Sequence, residues 1–150
     1  MQLTGSNLAC ERGGRTVFSN QNFSLNSGEL LQLTGPNGSG KSSLLRLLAN
    51  LGEPSHGKIS LEGSAPDLTP GQQAHYIAHS DASKSALTVT ENLVFWRDFL
   101  GGGDLMRALQ AVNLAPLADY PAALLSAGQR RRLALARLAL VPRPIWLLDQ

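Results

Sequence analysis

The stretch GPNGSGKS, Gly35 to Ser42, restricts the fold more than any other part of the 150-residue chain. Its spacing is glycine, four residues, then glycine, lysine and serine. Before it we predict a buried strand from Leu30 to Thr34. After it we predict a helix from Ser42 to Leu51, with an apolar side formed by Leu44, Leu45, Leu47 and Leu48. A glycine-rich turn between a strand and a helix favours binding of phosphate groups.

The residue types of this turn have a chemical reason. Glycines let the backbone N–H groups point inward around phosphate oxygens, and the start of a helix adds a positive dipole. Lys41 can reach the β- and γ-phosphates as a catalytic residue, and the Ser42 hydroxyl can ligate Mg²⁺. The alternative is a turn that binds nothing, which spacing and context disfavour. The candidate ATP-binding residues are Gly35, Pro36, Asn37, Gly38, Ser39, Gly40, Lys41, Ser42 and Ser43.

The composition sets limits on the partners. Apolar residues make up 43% of the chain and charged residues 16%, which is typical of one folded domain. The net charge of +2 predicts no nucleic-acid partner, and the single Cys10 excludes an internal disulfide. We see neither a signal peptide nor an apolar stretch of the ~20 residues that a bilayer requires, so any membrane part must come from a partner.

Further elements alternate along the chain and predict an α/β fold. A mostly helical insert, about residues 81–140, interrupts a core of about residues 1–80 and 141–150. Asp104 is the predicted N-cap of a helix that runs through Val112. The predicted strands are Leu3–Ala9, Thr16–Leu25, Lys58–Glu62, Tyr76–His79 and Ile145–Leu148, and the further helices are Thr90–Leu100 and Gly128–Val141.

Asp149 follows the last predicted strand. Ligands of open α/β sheets lie beyond the carboxyl ends of strands, so Asp149 can hold Mg²⁺ through water and take part in catalysis. A strand-end aspartate is often only a turn residue, and the phosphate loop is what favours the metal-binding interpretation.

The stretch LSAGQRRRLALARLAL, Leu125 to Leu140, closely resembles the signature sequence of ABC-type ATPases, usually LSGGQ, with Ala127 for the first glycine. The resemblance implies an ABC-type nucleotide-binding domain over residues 1–150, a P-loop NTPase with a RecA-like core and a mixed sheet. It also implies a head-to-tail dimer, in which Ser126, Gly128 and Gln129 contact the ATP of the second copy. We interpret Arg130, Arg131, Arg132 and Arg137 as a solvated basic face with dimer-interface pairs.

Three positions differ from that family's pattern. His79 stands where the family has a glutamine, and it can contact the catalytic water or the metal, or be an ordinary loop histidine. Arg12 lies near the position of the aromatic residue that stacks on adenine, and a guanidinium can also stack there. Gln150 replaces the glutamate that polarises the attacking water, and because glutamine cannot accept a proton we predict slow hydrolysis. The family also continues with a further loop and a switch histidine, so we predict a C-terminally incomplete fold.

A narrower resemblance is to the ATPase subunit of the haem exporter of cytochrome c maturation. It is carried by the region from Asn7 to Leu51 and by His79, Lys84, Leu87, Thr88, Glu91, Asn92 and Leu93. It implies a peripheral subunit on the cytoplasmic face of the bacterial inner membrane, bound to permease subunits. The segment Leu87–Leu100, with Phe95, Trp96 and Phe99, is the candidate contact surface, unless these aromatics are helix core.

Other functions remain open. The chain could be the ATPase of another small exporter. It could belong to the soluble ABC proteins, which usually have two cassettes. It could also bind nucleotide without hydrolysing it.

Overall fold

The computed structural model describes residues 1–149, which form two compact units. The first consists of residues 1–76 together with Asp149, and the second of residues 77–148.

A three-stranded antiparallel sheet dominates the first unit, in the order β2-β1-β3. Its strands are β1 (Gln2–Arg12), β2 (Arg15–Asn26) and β3 (His56–Glu62). Gly13 and Gly14 form the turn between β1 and β2, and both have positive φ angles, of 55° and 73°. The three predicted strands are confirmed, each extended by a few residues.

A bulge divides β1. Leu3 and Gly5 are buried before it and Leu8 and Cys10 after it, so the alternation of buried residues shifts by one position. Asn7, with a φ of 51°, provides the extra residue, and the pairing with β2 shifts between Gly5 and Leu8. The bulge therefore keeps both halves of the strand packed on one core face.

The helix α1 (Lys41–Leu48) follows the glycine-rich loop. Leu44, Leu47 and Leu48 are buried, while Leu45 is only half-buried. The predicted helix is confirmed, but it ends three residues earlier, before a turn at Ala49 and Asn50. Asn50 has a φ of 59°, which a helix cannot contain.

The strand predicted from Leu30 to Thr34 is wrong for the described residues. Leu30 is 88% exposed and Leu31 is 42% exposed. Within residues 1–149, β1 pairs with β2 and β3, and β4 with β5, which leaves no strand beside residues 30–34. An extended segment becomes a strand only when its N–H and C=O groups bond to a neighbour, which apolar sequence alone does not supply.

Three helices pack together in the second unit: α2 (Val89–Leu100), α3 (Leu105–Ala111) and α4 (Ala127–Leu140). Short 3₁₀ turns at Ala115–Leu117 and Ala122–Leu124 lie between α3 and α4 in the chain. The buried cluster between these elements comprises Val89, Leu93, Ala108, Leu109, Leu114, Ala122, Leu125, Leu133, Ala136 and Leu140.

A two-stranded sheet consists of β4 (Ala74–Ile77) and β5 (Ile145–Leu148). The position of β5 agrees with the prediction, whereas β4 ends two residues before the predicted end at His79.

Caps fix the helix starts. Thr88 and Glu91 form a capping box on α2, and the Asp104 side chain accepts from the backbone N–H of Arg107 on α3, as predicted. None of the helices in residues 1–149 has the length and apolar character needed to traverse a bilayer.

Candidate nucleotide-binding site

The glycine-rich loop adopts a backbone that side chains would prevent. Gly35, Gly38 and Gly40 have φ angles of 144°, 83° and 95°. A Cβ atom on Gly40 would lie 2.8 Å from side-chain carbons of Val17 and Phe18. Glycine is therefore required at Gly40 for conformation and for space, and the loop meets the first turn of α1 directly.

Lys41 bends back over this loop. Its Nζ donates hydrogen bonds to the carbonyl oxygens of Gly35 at 2.7 Å and of Pro36 at 2.9 Å. Pro36 also accepts from the backbone N–H of Ser39 at 3.2 Å. A positive charge therefore lies at the loop, where a phosphate group needs it. Among the other predicted ATP-binding residues, Asn37 is exposed and Ser43 is half-buried.

Ser42 and Asp149 come together in the first unit. The Ser42 hydroxyl donates to Asp149 Oδ1 at 3.0 Å, and Asp149 is 8% exposed. A hydroxyl and a carboxylate are hard oxygen donors of the kind that Mg²⁺ prefers. No cluster of three or more histidine, cysteine, aspartate or glutamate side chains suited to a metal occurs in residues 1–149.

Tyr76, a neighbour of Asp149, did not figure in the sequence prediction. Burial raises the pKa of the Tyr76 hydroxyl, the negative charge of Asp149 raises it further, and Arg46 lowers it. The Tyr76 hydroxyl also hydrogen-bonds to the Asp149 side chain. A tyrosine inside a four-residue strand gave no sequence signal, because its contacts with Asp149 and Arg46 come from the tertiary structure.

Arg12 lies at the exposed end of β1, opposite Arg15 of β2 at the hairpin turn. It belongs to the first unit, like the phosphate loop. Its guanidinium is accessible to a base, and its role in holding adenine stays a prediction.

The predicted signature residues start α4 in the second unit. Ser126 is the N-cap, and its Oγ accepts from the backbone N–H of Gln129 at 3.2 Å. The Gln129 side chain accepts in return from the backbone N–H of Ser126 at 2.8 Å. This capping box follows from the Ser-x-x-Gln spacing, a signal that the sequence analysis missed. Gly128 is exposed, and a Cβ atom there would meet nothing within 4 Å.

His79 is exposed just after β4 in the second unit, and its role at the metal or the water stays a prediction. Arg131 of α4 bonds to residues on both sides of His79 along the chain. The Arg131 guanidinium donates to the Ala78 carbonyl at 2.9 Å and pairs with the Asp81 carboxylate at 3.3 Å. Gln150, the fourth predicted catalytic residue, lies outside the described residues.

The interpretation of the α4 arginines as a solvated basic face is wrong for Arg137. It is 5% exposed, with its guanidinium 4.0 Å from the ring centroid of Trp96. Its Nε donates to the Ala134 carbonyl at 3.0 Å. Burial lowers the pKa of Arg137 to about 10, and the like charge of Arg131 lowers it as well. The aromatic ring explains the burial, because a cation over a ring face keeps part of its electrostatic stabilisation.

These features define a P-loop nucleoside triphosphate-binding protein. They are a glycine-rich loop before a helix, a lysine at that loop, and a serine bonded to an aspartate at the end of a strand. The sequence profile of the ABC transporter family matches residues 18–150. The chain therefore belongs to the ABC transporter family, whose ATPase subunits bind and hydrolyse ATP.

Its curated relatives include proteins named cytochrome c biogenesis ATP-binding export protein CcmA. The one from Nitrobacter winogradskyi is 59% identical over 100% of this chain and 76% of its own length. The one from Rhodopseudomonas palustris strain HaA2 is 57% identical and that from Bradyrhizobium diazoefficiens 55% identical, with the same coverage. The predicted family and the predicted resemblance are confirmed.

Solved structures agree on the fold. A putative ABC transporter ATP-binding protein from Pyrococcus furiosus superposes with a TM-score of 0.85 at 21% identity, over 99% of this chain and 75% of that one. A bacterial Atm1-family ABC exporter with ATP bound gives a TM-score of 0.81 at 23% identity, over 99% of this chain and 28% of that one. At these identities the likeness supports the nucleotide-binding α/β fold alone, which confirms the predicted fold class.

Proposed function

We propose that the chain is the ATP-binding subunit of an ABC transporter complex that couples ATP hydrolysis to haem export or delivery in cytochrome c biogenesis. The observation that carries this proposal is the identity of 55–59% over the whole chain to export proteins of cytochrome c biogenesis. Haem as the cargo rests on the narrower resemblance of the region from Asn7 to Leu51. An ATPase of another small exporter is the alternative within the family.

In this proposal the backbone N–H groups of residues 35–40 hold the phosphates of ATP, and Arg12 lies against adenine. Lys41 exchanges its loop carbonyl partners for β- and γ-phosphate oxygens. Ser42 and Asp149 would hold Mg²⁺, and His79 would be a further contact. The metal neutralises charge that develops on the transferred phosphate. Tyr76 keeps the Asp149 carboxylate oriented by a hydrogen bond to its side chain.

The second copy of the chain completes the site. We place Ser126, Gly128 and Gln129 against the γ-phosphate held by the opposite copy in a head-to-tail dimer. In the described chain, the Ser126 hydroxyl and the start of α4 lie at the surface, as this contact requires. A helix N-terminus presents N–H groups and a positive dipole end to such an anion.

The membrane partner binds, in this proposal, at an aromatic surface formed by Phe95, Trp96 and Phe99 of α2. Phe95 is 52% exposed and Phe99 is 70% exposed, while Trp96 is half-buried over Arg137. The rings contact one another, with centroids 5.2 Å to 6.3 Å apart. Exposed, clustered rings favour a protein partner over helix core. The complex then lies on the cytoplasmic face of the bacterial inner membrane.

The Lys41→Ala substitution tests the nucleotide site. We expect ATP affinity to fall about 100-fold, because hydrogen bonds to charged groups contribute about 1.5–3 kcal/mol each. Isothermal titration with ATP and Mg²⁺ measures it, and the exposed Lys58→Ala variant on β3 is the matched control. Equal affinity of the wild type and the Lys41→Ala variant would contradict the assignment.

The Phe95→Ser/Phe99→Ser double substitution tests the membrane partner. We expect recovery of the multi-span permease subunits to fall about tenfold in co-purification, because exposed aromatic anchors dominate such contacts. Nucleotide affinity and the free energy of unfolding should stay near wild type, since both rings are exposed. The matched control is Leu124→Ser, another exposed apolar side chain, on the 3₁₀ turn before α4. Undiminished recovery with the double variant would exclude this surface.

A further inference from the structure

The chain segment around His79 is bonded to the helix that carries the signature residues. Arg131 lies five residues after Ser126, and its guanidinium donates to the carbonyl of Ala78 at 2.9 Å. The same Nη1 atom lies 3.3 Å from Asp81 Oδ1. These two acceptors stand on either side of His79 and Ser80. The side chains of Arg131 and Asp81 are 29% and 23% exposed, so water screens this ion pair less than a surface pair.

The other end of the segment is bonded to α2. Asn92 is 6% exposed, and its side-chain oxygen accepts from the backbone N–H of Lys84 at 2.7 Å. Its side-chain nitrogen donates to the carbonyls of Lys84, Leu87 and Thr88, at 3.0 Å, 3.3 Å and 2.9 Å. Residues 84–88 are thereby bonded to α2, while the part next to His79 is bonded to Arg131 of α4.

The electrostatic surroundings support the pairing. Arg137 lies on the same helix as Arg131, and the Arg131 charge lowers its pKa while the Asp81 charge opposes that shift. The Asp81 carboxylate thus stabilises two arginines of α4, one through direct contact and one at longer range. Removal of the carboxylate leaves two like charges facing each other in a partly dehydrated site, which is unfavourable.

We propose that Arg131 is a positioning residue that sets the backbone at His79 relative to the signature helix. When nucleotide contact displaces the start of α4, the bonds from Arg131 carry that displacement to Ala78 and Asp81. This role rests on the proposed function, because the proposed function is what assigns nucleotide contacts to His79 and to Ser126. It goes beyond that function by naming the link between the two.

Arg132 is a matched control on the same helix. Its guanidinium donates to the carbonyls of Val112 at 3.2 Å and Asn113 at 3.4 Å, and the residue is exposed. Substitution of Arg132 by glutamine removes the same charge and the same kind of bond from α4. It does so at a loop distant in sequence from His79.

Hydrogen exchange read by mass spectrometry tests the proposal on the Arg131→Gln, Asp81→Asn and Arg132→Gln variants. Without nucleotide, we expect the amides of residues 78–83 to exchange about tenfold faster in the first two variants, because a hydrogen bond to a charged group is lost. Residues 78–83 of the Arg132→Gln variant should exchange at the wild-type rate. A merely structural role would accelerate the core helices around Leu93 and Leu109 as well.

A second measurement adds ATP and Mg²⁺. We expect wild-type residues 78–83 to gain protection with ATP, and the Arg131→Gln variant to lose that gain while its ATP affinity stays within about threefold. Unchanged exchange at residues 78–83 in the Arg131→Gln variant, or equal acceleration in the Arg132→Gln variant, would overturn the proposal. A wild-type chain that binds no ATP would instead contradict the proposed function, while the nucleotide-free comparison still decides the role of Arg131.

Discussion

Ser42 and Asp149 stand 107 positions apart in the sequence, yet their side-chain oxygens lie 3.0 Å apart. Each residue alone is an ambiguous signal, because serines often start helices and aspartates often follow strands. The contact between Ser42 in the first turn of α1 and Asp149 directly after β5 makes a joint metal-binding role chemically sensible. At the scale of single residues, Ser42 and Asp149 together therefore indicate a metal site more strongly than either residue does alone.

Gln150 stands where the resemblance to ABC-type ATPases implies the glutamate that polarises the attacking water. We expect the chain to hydrolyse ATP very slowly, and the Gln150→Glu substitution to raise turnover by about 100-fold or more, since a positioned general base contributes about 10²–10⁴. ATP affinity should remain within about threefold, because the phosphate loop and Lys41 are unchanged.

Phosphate release measured with the purified chain at saturating ATP checks this expectation. Addition of Lys41→Ala to the Gln150→Glu variant is the control for contaminating ATPases. Rapid turnover of the unsubstituted chain would contradict the inference drawn from glutamine. Equal turnover of the unsubstituted chain and the Gln150→Glu variant would mean that Gln150 does not limit hydrolysis.

At the scale of elements, the sequence correctly predicted the features that depend only on residues close together along the chain. Asp104 caps α3 because its side chain needs to reach only the N–H of Arg107. The apolar segment Leu30–Thr34 was expected to be a strand and is not one, because a strand needs a partner that its own sequence cannot specify. Arg137 was expected in solvent and is buried, because only the packing of α2 against α4 brings Trp96 over it.

The capping boxes on α2 and α4 lead to a prediction about stability. Thr88→Ala and Ser126→Ala should each lower the free energy of unfolding by about 1 kcal/mol, because each leaves a helix N–H without its side-chain acceptor. Urea titration followed by circular dichroism measures the loss. The Ser126→Asp variant should keep the stability, because aspartate also caps helices well. A loss in Ser126→Asp as large as in Ser126→Ala would show that the cap is not the cause.

At the scale of the whole molecule, the exposed start of α4 leads to a prediction about assembly. With ATP and Mg²⁺ we expect the chain to sediment as a dimer, and without nucleotide as a monomer, because the γ-phosphate supplies the contact for the opposite signature. Slow hydrolysis due to Gln150 should let the ATP-bound dimer accumulate.

The Ser126→Asp variant separates assembly from folding. It should bind ATP through its own phosphate loop, remain folded and fail to dimerise, because a carboxylate would face the phosphate of the opposite copy. Sedimentation velocity at matched protein concentration measures this. A dimer of Ser126→Asp equal to that of the wild type, or a wild-type dimer that needs no nucleotide, would contradict the head-to-tail arrangement.

The sequence by itself determined the phosphate loop, the helix that follows it, the family and most of the elements, because glycine spacing, caps and apolar periodicity act over a few residues. Only the tertiary structure placed Tyr76 beside Asp149, Arg131 between Ala78 and Asp81, and Arg137 on Trp96. These contacts join residues distant along the chain, and a side chain's partner in such a contact depends on how whole elements pack. The same reason explains the missing strand at Leu30–Thr34, whose apolar pattern was clear while its hydrogen-bonding neighbour was not determined locally.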